Sequence, residues 1–152
     1  MSTMNRFQLR SASHLFLVQG EKILLARRKG AWKAGFYSVP AGHIDGEETA
    51  EAAMIREVKE EIGIDISLKH IKFVHVMHRK AKVCEYIDFF SEVTAWKGEI
   101  KNLEPGKCDD LSWYAFGALP ENTVNYIREA IERYKKASCI QNPAGTATLN
   151  KI

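Results

Sequence analysis

One stretch, from Gly42 to Ile64, constrains the fold of this chain more than any other part of its sequence. It reads GHIDGEETAEAAMIREVKEEIGI and carries Glu57, Glu60 and Glu61 at helical spacings of three and four residues. Residues at these spacings lie together on one side of a helix, where like charges repel each other. The spacing therefore predicts a helix that either holds a hard divalent cation or turns a charged face to water.

The helix itself is predicted from about Thr49 to Ile62. At 100° per residue, one narrow apolar stripe is formed by Ile55, Val58 and Ile62, with Ala52 at its edge. The three glutamates are expected on the opposite side of the helix, away from the core. Thr49 is expected to cap the N-terminus, and Gly63 is expected to end the helix in the left-handed conformation.

The complete spacing resembles the signature of the Nudix hydrolase family. The matched positions, without a gap, are Gly42, Glu48, Arg56, Glu57, Glu60, Glu61 and Gly63, with aliphatic residues between them where the family has them. A match of this length is far more specific than a short glycine motif. The resemblance implies an α/β fold, namely an α/β/α sandwich with a mixed β-sheet and the loop-helix of the family at its site.

The resemblance also implies an activity. It predicts a metal-dependent pyrophosphohydrolase that cleaves a nucleoside diphosphate linked to another group, with Mg²⁺ as cofactor and Mn²⁺ as the alternative. A (deoxy)nucleoside triphosphate, converted to the monophosphate and pyrophosphate, is the expected substrate because a short chain leaves no room for a further substrate domain. Nucleotide sugars and dinucleoside polyphosphates are alternatives, and so is a non-catalytic module that only binds nucleotides.

Carried over position by position, the resemblance makes Glu57, Glu60, Glu61 and the backbone carbonyl of Gly42 the metal ligands. Glu60 or Glu61 is alternatively the group that deprotonates the attacking water. The predicted catalytic residues are Glu48, Arg56, Glu57, Glu60 and Glu61. Arg56 is expected to orient the glutamates, and Glu48 to pair with Arg56 or to support the metal; an ion pair that merely stabilises the helix is an equal alternative for both.

Substrate contacts are predicted from weaker signals. An aromatic slot with a few polar groups suits a nucleobase, and the predicted contacts are Phe16, Arg27, Tyr37, Glu121 and Asn122. Arg27 suits phosphates, and Asn122 can both donate to and accept from a purine edge. A helix cap is the equal alternative for Glu121 and Asn122. The resemblance also makes Glu104, Asp109 and Asp110 candidates for a further metal ligand or the general base, and a solvated loop carboxylate is the more common role for each.

The rest of the chain predicts the other elements of one domain. Strands are expected at residues 12–18, 22–28, 36–39, 71–79, 83–96 and 111–116, with a short one at 64–68, a loop at 40–47 and a second helix from about 119–122 to 136. A single domain at residues 1–136 is predicted. Residues 137–152 show no hydrophobic period and are expected to form a mobile tail, or a segment that is ordered only by packing on a neighbour.

Composition narrows the setting. The net charge of +3 is compatible with a polyanionic small molecule as substrate. The sequence has no basic stripe with interleaved aromatic residues, so no nucleic-acid partner is expected. Three cysteines without a CxxC spacing predict reduced thiols and a cytoplasmic location. No signal-peptide core and no run of membrane-spanning length occur, so no membrane partner is expected. A homodimer is an alternative to a monomer that the sequence does not specify.

Overall fold

The computed structural model of the protein describes residues 6–141. Seven strands are formed by Arg10–Gln19 (β1), Lys22–Arg28 (β2), Tyr37–Ser38 (β3), Ala41–His43 (β4), Lys72–Lys80 (β5), Glu85–Val93 (β6) and Cys108–Ala115 (β7). Two α-helices are formed by Ala50–Ile62 (α1) and Asn125–Gln141 (α2), and short 3-10 helices by Leu68–His70 and Phe116–Ala118.

The seven strands form one mixed sheet with β1 at its centre. β1 pairs in parallel with β6 along one edge. Along its other edge it pairs first with β4, at residues 12–14, and then with β2, at residues 18–19. β2 also pairs with β3 and β7, and β6 pairs with β5. Because β1 changes its partner midway, β2 and β4 diverge, and both contribute to the lining of the cavity described below.

The sheet lies between the two helices, as predicted. Side chains alternate between the faces of a strand, and Leu15 and Leu17 of β1 pack in the same core cluster as Met54 and Val58 of α1. The alternate residue Phe16 packs in a second core cluster, with Ile127 and Ile131 of α2. Burial of both sheet faces confirms the α/β/α sandwich with a mixed sheet.

α1 has the predicted caps but a different orientation. The Thr49 hydroxyl accepts a hydrogen bond from the Ala52 amide at 3.1 Å, and Gly63 has φ of 76°. The buried residues are Ala53, Met54, Val58 and Ile62, whereas Ile55 is half-buried and Ala52 is exposed. The predicted stripe is therefore rotated by about one residue.

The glutamates of α1 consequently do not all face away from the core. Glu57 and Glu61 are half-buried, and only Glu60 is exposed. The prediction that all three lie opposite the apolar stripe is wrong, since Glu57 and Glu61 border the buried side. Glycine at position 42 of β4 leaves the space that the Glu57 side chain fills.

Several predicted boundaries shift. β4 forms within the predicted loop at 40–47, and at 64–68 only an isolated bridge joins Asp65 to Lys97. The long runs at 71–79 and 83–96 do pair antiparallel as β5 and β6, although β6 ends at Val93. α2 continues to Gln141, beyond the predicted end at 136, and residues 142–152 of the predicted tail lie outside the described residues. No helix within residues 6–141 combines the length and the apolar character needed to cross a bilayer.

Candidate functional site

A cavity of about 810 Å³ lies beside the loop-helix segment. Its volume is within the range of small-molecule sites in proteins. Carboxylates from α1 and from the loop before β7 form one part of its wall, and basic side chains from β2 form another. A third part comes from β5, β6 and α2, through Arg79, Tyr86 and Tyr126. The cavity thus presents both charges and aromatic rings to a ligand.

Glu57, Glu61 and Glu104 crowd the carboxylate part of the wall. Burial, followed by the charges of Glu57 and Glu104, raises the pKa of Glu61 to about 8. The Ala41 backbone opposes this shift by hydrogen bonding to the Glu61 carboxylate. Lys107 pairs with Glu104 at 3.0 Å. A cation bound beside these carboxylates would therefore stabilise their ionised forms.

Gly42 is required at its position by the packing of Glu57. A Cβ at residue 42 would lie 2.0 Å from the Glu57 Cδ atom and 2.2 Å from its Oε1. Only a residue without a side chain lets the carboxylate pack on the backbone of β4. The glycine at position 42 is thus explained by its contact with Glu57 of α1, and not by an unusual backbone torsion angle.

Arg56 connects the loop to the helix. Its Nη1 donates to Glu57 Oε1 at 2.6 Å, and its Nη2 donates to Glu48 Oε1 at 2.7 Å and to the His43 carbonyl at 3.2 Å. Its Nε donates to the second oxygen of Glu48 at 3.2 Å. Glu48 also accepts from the Asp45 amide at 2.8 Å. The Arg56 hydrogen bonds, followed by that amide, lower the pKa of Glu48, and the network fixes Glu57.

The donor set of this wall fits a hard cation. Within residues 6–141, no three His, Cys, Asp or Glu side chains are spaced to hold a metal ion as they stand. Glu57, Glu61 and Glu104 nevertheless offer carboxylate oxygens, which Mg²⁺ prefers, and burial together with the charges of Glu57 and Glu104 raises the pKa of Glu61. Glu60 is exposed on α1 and does not line the cavity.

The basic part of the wall is formed where β2 ends. Arg27, Arg28 and Lys29 line the cavity together with Trp32. The Arg27 Nε donates to Asp109 at 2.7 Å, and the Arg28 guanidinium lies 4.5 Å from the centroid of the Trp32 ring. Arginine side chains held in this way present their remaining donors to anions.

Of the predicted substrate contacts, only Arg27 lines the cavity. Phe16 is fully buried in the core and has no surface to offer a ligand. Tyr37 is also buried, and its hydroxyl donates to Asp110 at 2.6 Å. Asn122 uses its amide to donate to the Gly35 carbonyl at 2.6 Å, and Glu121 is exposed nearby. Phe16 and Tyr37 pack in the core cluster that includes α2, and the Asn122 carbonyl accepts from the Tyr37 amide at 2.9 Å, so this corner is bound to β3 and not to the cavity.

A buried polar cluster was missed by the sequence analysis. His14 Nε2 lies 3.0 Å from Asp88 Oδ1, and Arg79 donates to Asp88 through Nε at 2.7 Å and through Nη2 at 3.3 Å. The Arg79 guanidinium lies 4.1 Å from the Tyr126 ring centroid and 4.5 Å from that of Tyr86. The available signal was that His14 and Asp88 interrupt apolar runs, but their separation in the chain hides the pairing.

The charge state of this cluster follows from its hydrogen bonds. Burial lowers the pKa of His14, and Asp88 only partly opposes this. Burial would raise the pKa of Asp88, but the hydrogen bonds from His14 and Arg79 prevail and lower it. A neutral His14 therefore donates from Nε2 to an ionised Asp88. Its Nδ1 is then an acceptor that is buried without a partner among the described residues.

Known proteins match this chain in both sequence and structure. The sequence profile of the NUDIX domain matches residues 8–134. The structure of a MutT NUDIX hydrolase from Burkholderia pseudomallei superposes with a TM-score of 0.77 at 30% identity, covering 83% of this chain and 98% of that one. The E. coli ORF135 protein has the same fold, with a TM-score of 0.74 at 19% identity over 91% of this chain and 96% of its own.

Curated relatives share the domain over part of their length. An NAD-capped RNA hydrolase from Pseudomonas aeruginosa is 30% identical over 111 residues, which are 72% of this chain and 38% of that protein. The protein of the same name from Pseudomonas putida strain KT2440 is 32% identical over the same shares. The chain thus spans about two fifths of the length of the curated relatives that it matches.

Proposed function

Because the chain belongs to the Nudix hydrolase family, we propose that it is a metal-dependent pyrophosphohydrolase that converts a (deoxy)nucleoside triphosphate into the monophosphate and pyrophosphate. The observation that carries the proposal is a single cavity in which Glu57, Glu61 and Glu104 share the wall with Arg27, Arg28 and Lys29. A polyphosphate needs cations to neutralise its charge, and hydrolysis needs a site for a divalent ion.

Glu57, Glu61, Glu104 and the carbonyl of Gly42 are the groups that would hold the ion. The motif alone supports Glu60 as a further ligand, from its exposed position on α1. Mg²⁺, or Mn²⁺ in its place, supplies charge neutralisation and a bound water of lowered pKa.

The remaining groups bind and orient. Arg56 keeps the Glu57 carboxylate against Gly42 through its 2.6 Å hydrogen bond, so Glu57 does not have to be ordered when the substrate arrives. Arg28 and Lys29 line the cavity at the end of β2, and in this proposal they bind phosphate oxygens. Arg27, which shares its charge with Asp109, supports the same region. Lys107 neutralises Glu104 until a stronger cation competes.

The names of the curated relatives define the main alternative substrates. The relatives are named NAD-capped RNA hydrolases, and NAD is itself a nucleoside diphosphate linked to another group. Nucleotide sugars and dinucleoside polyphosphates share that linkage. The described thiols Cys84, Cys108 and Cys139 are free, which supports the proposed cytoplasmic location.

A substrate panel tests the proposal. The protein is incubated with nucleoside triphosphates, nucleotide sugars, dinucleoside polyphosphates, NAD and NAD-capped RNA in the presence of Mg²⁺, Mn²⁺ or EDTA, and the products are quantified. We expect turnover of triphosphates that EDTA abolishes. Faster cleavage of another class of compound would make that class the substrate in place of the triphosphates. Nucleotide binding without turnover of any compound would favour the non-catalytic module.

A further inference from the structure

We propose that Arg79 selects the nucleobase, by binding a base that presents two neighbouring hydrogen-bond acceptors on one edge. Guanine presents such an edge through O6 and N7, and cytosine presents one through N3 and O2. The inference rests on the proposed function in taking a nucleoside triphosphate as substrate. It assigns the part of the cavity formed by β5, β6 and α2 to the base.

The Arg79 guanidinium is fixed before any ligand binds. Asp88 accepts from its Nε at 2.7 Å and from its Nη2 at 3.3 Å. The rings of Tyr126 and Tyr86 lie 4.1 Å and 4.5 Å from its Cζ atom. With that edge occupied, Nη1 and the second proton of Nη2 remain as a pair of parallel donors at the end of the side chain.

The charge of Arg79 is balanced by its neighbours, which suits it to bind a neutral base. Asp88 is fully buried and balances Arg79, and the buried His14 is neutral. The three side chains of this cluster are therefore rich in donors and carry no excess charge among themselves, and Arg10 and Lys82 are the further cations that line the cavity nearby. The side chains of Tyr86 and Tyr126 offer aromatic surface to a ring. Phosphates are assigned to Arg27, Arg28 and Lys29 at the end of β2, which line the cavity together with the carboxylates of Glu57, Glu61 and Glu104.

The parallel donors discriminate among bases. Guanine and cytosine each place two acceptors side by side, which a guanidinium can bind in a bidentate manner. Adenine places its N6 amino donor beside N7, and uracil places its N3 proton beside each carbonyl, so one donor of Arg79 would meet another donor. A good bidentate pair discriminates between bases by roughly 10- to 100-fold.

An Arg79→Lys variant isolates the paired donors, because lysine keeps a cation for Asp88 but offers no planar fork. The matched control is Arg133→Lys on the exposed side of α2, where the arginine pairs with Glu129. We measure kcat/KM for GTP, CTP, ATP and UTP. The wild type and the control are expected to prefer GTP and CTP by about 10-fold or more, and Arg79→Lys to lose about 10- to 100-fold on those two and less than about threefold on ATP and UTP.

Binding without turnover separates this inference from the proposed function. Isothermal titration with GMP, CMP, AMP and UMP in EDTA should show tighter binding of GMP or CMP, lost in Arg79→Lys. That result supports the inference even if no triphosphate is hydrolysed, and the two titrations tell guanine from cytosine. A wild type without base preference, or an equal loss for all four bases, would overturn it. If Arg79→Lys unfolds, the double variant Arg79→Gln/Asp88→Asn, which leaves no buried charge unpaired, is measured in its place.

Discussion

Replacing Gly42 with alanine is the substitution that most sharply tests the packing of the site. The added Cβ would lie 2.0 Å from Glu57 Cδ, and protein Cβ atoms essentially never approach other atoms within 3.0 Å. The Glu57 carboxylate must therefore move by at least about 1 Å, away from Arg56 Nη1, to which it is bonded at 2.6 Å. Misplacement of a catalytic group by about 1 Å can reduce activity about 100-fold, and overpacking costs about 1–3 kcal/mol of stability.

Gly46→Ala is the matched control for this variant. It lies in the same loop-helix segment, and a Cβ there would meet no atom within 4 Å. We expect Gly46→Ala to retain kcat/KM and stability, while Gly42→Ala loses about two orders of magnitude in kcat/KM. Steady-state hydrolysis with Mg²⁺ and urea unfolding measure the two effects. A Gly42→Ala enzyme with kcat/KM within about threefold of the wild type would show that Glu57 does not need its position against β4.

Three further perturbations follow from the same geometry. Arg56→Gln removes the hydrogen bonds to Glu48, Glu57 and His43 and should lower kcat/KM about 100-fold. Arg56→Lys should recover only part of the activity, because one ammonium cannot replace the several donors of a guanidinium. Full activity of Arg56→Lys would contradict this. Thr49→Ala should cost about 1 kcal/mol in urea unfolding through loss of the N-cap while leaving kcat/KM unchanged, and Thr49→Ser should retain most of the stability. Burial lowers the pKa of His14 below its ordinary 6.5, so the unfolded chain binds a proton that the folded chain excludes. As the pH is lowered below about 6.5, the free energy of unfolding should therefore decrease by up to about 1.4 kcal/mol per pH unit. A His14→Gln variant with the same pH dependence would refute that assignment.

The sequence predicted the parts of this protein that depend on local chemistry. The caps of α1 at Thr49 and Gly63 and the pairing of β5 with β6 follow from residue types and hydrophobic period, whereas the α/β/α arrangement was implied by the resemblance to the Nudix family. The exact facing of α1 did not follow, because Glu57 borders the buried side only where Gly42 of β4 leaves room for its side chain. A prediction from the hydrophobic period alone assigns charged residues to the solvent-facing side of a helix.

Long-range contacts account for the other differences. Phe16 and Tyr37 are aromatic residues near the site in sequence, but their strands turn them into the core beside α2. Asp88 and His14 are 74 positions apart and meet only through the parallel pairing of β1 with β6. No local pattern contains such a pairing, so the Arg79 cluster could be found only in three dimensions.

The products of nucleoside triphosphate hydrolysis by wild type and Glu61→Gln test the central claim most directly. With Mg²⁺ present, separation of the products by anion exchange should show monophosphate and pyrophosphate from the wild type. Glu61 lines the cavity and Glu60 does not, so Glu61→Gln should lose at least about 100-fold in kcat, more than Glu60→Gln loses. Diphosphate and phosphate as products, or a Glu61→Gln enzyme as fast as the wild type, would contradict the account.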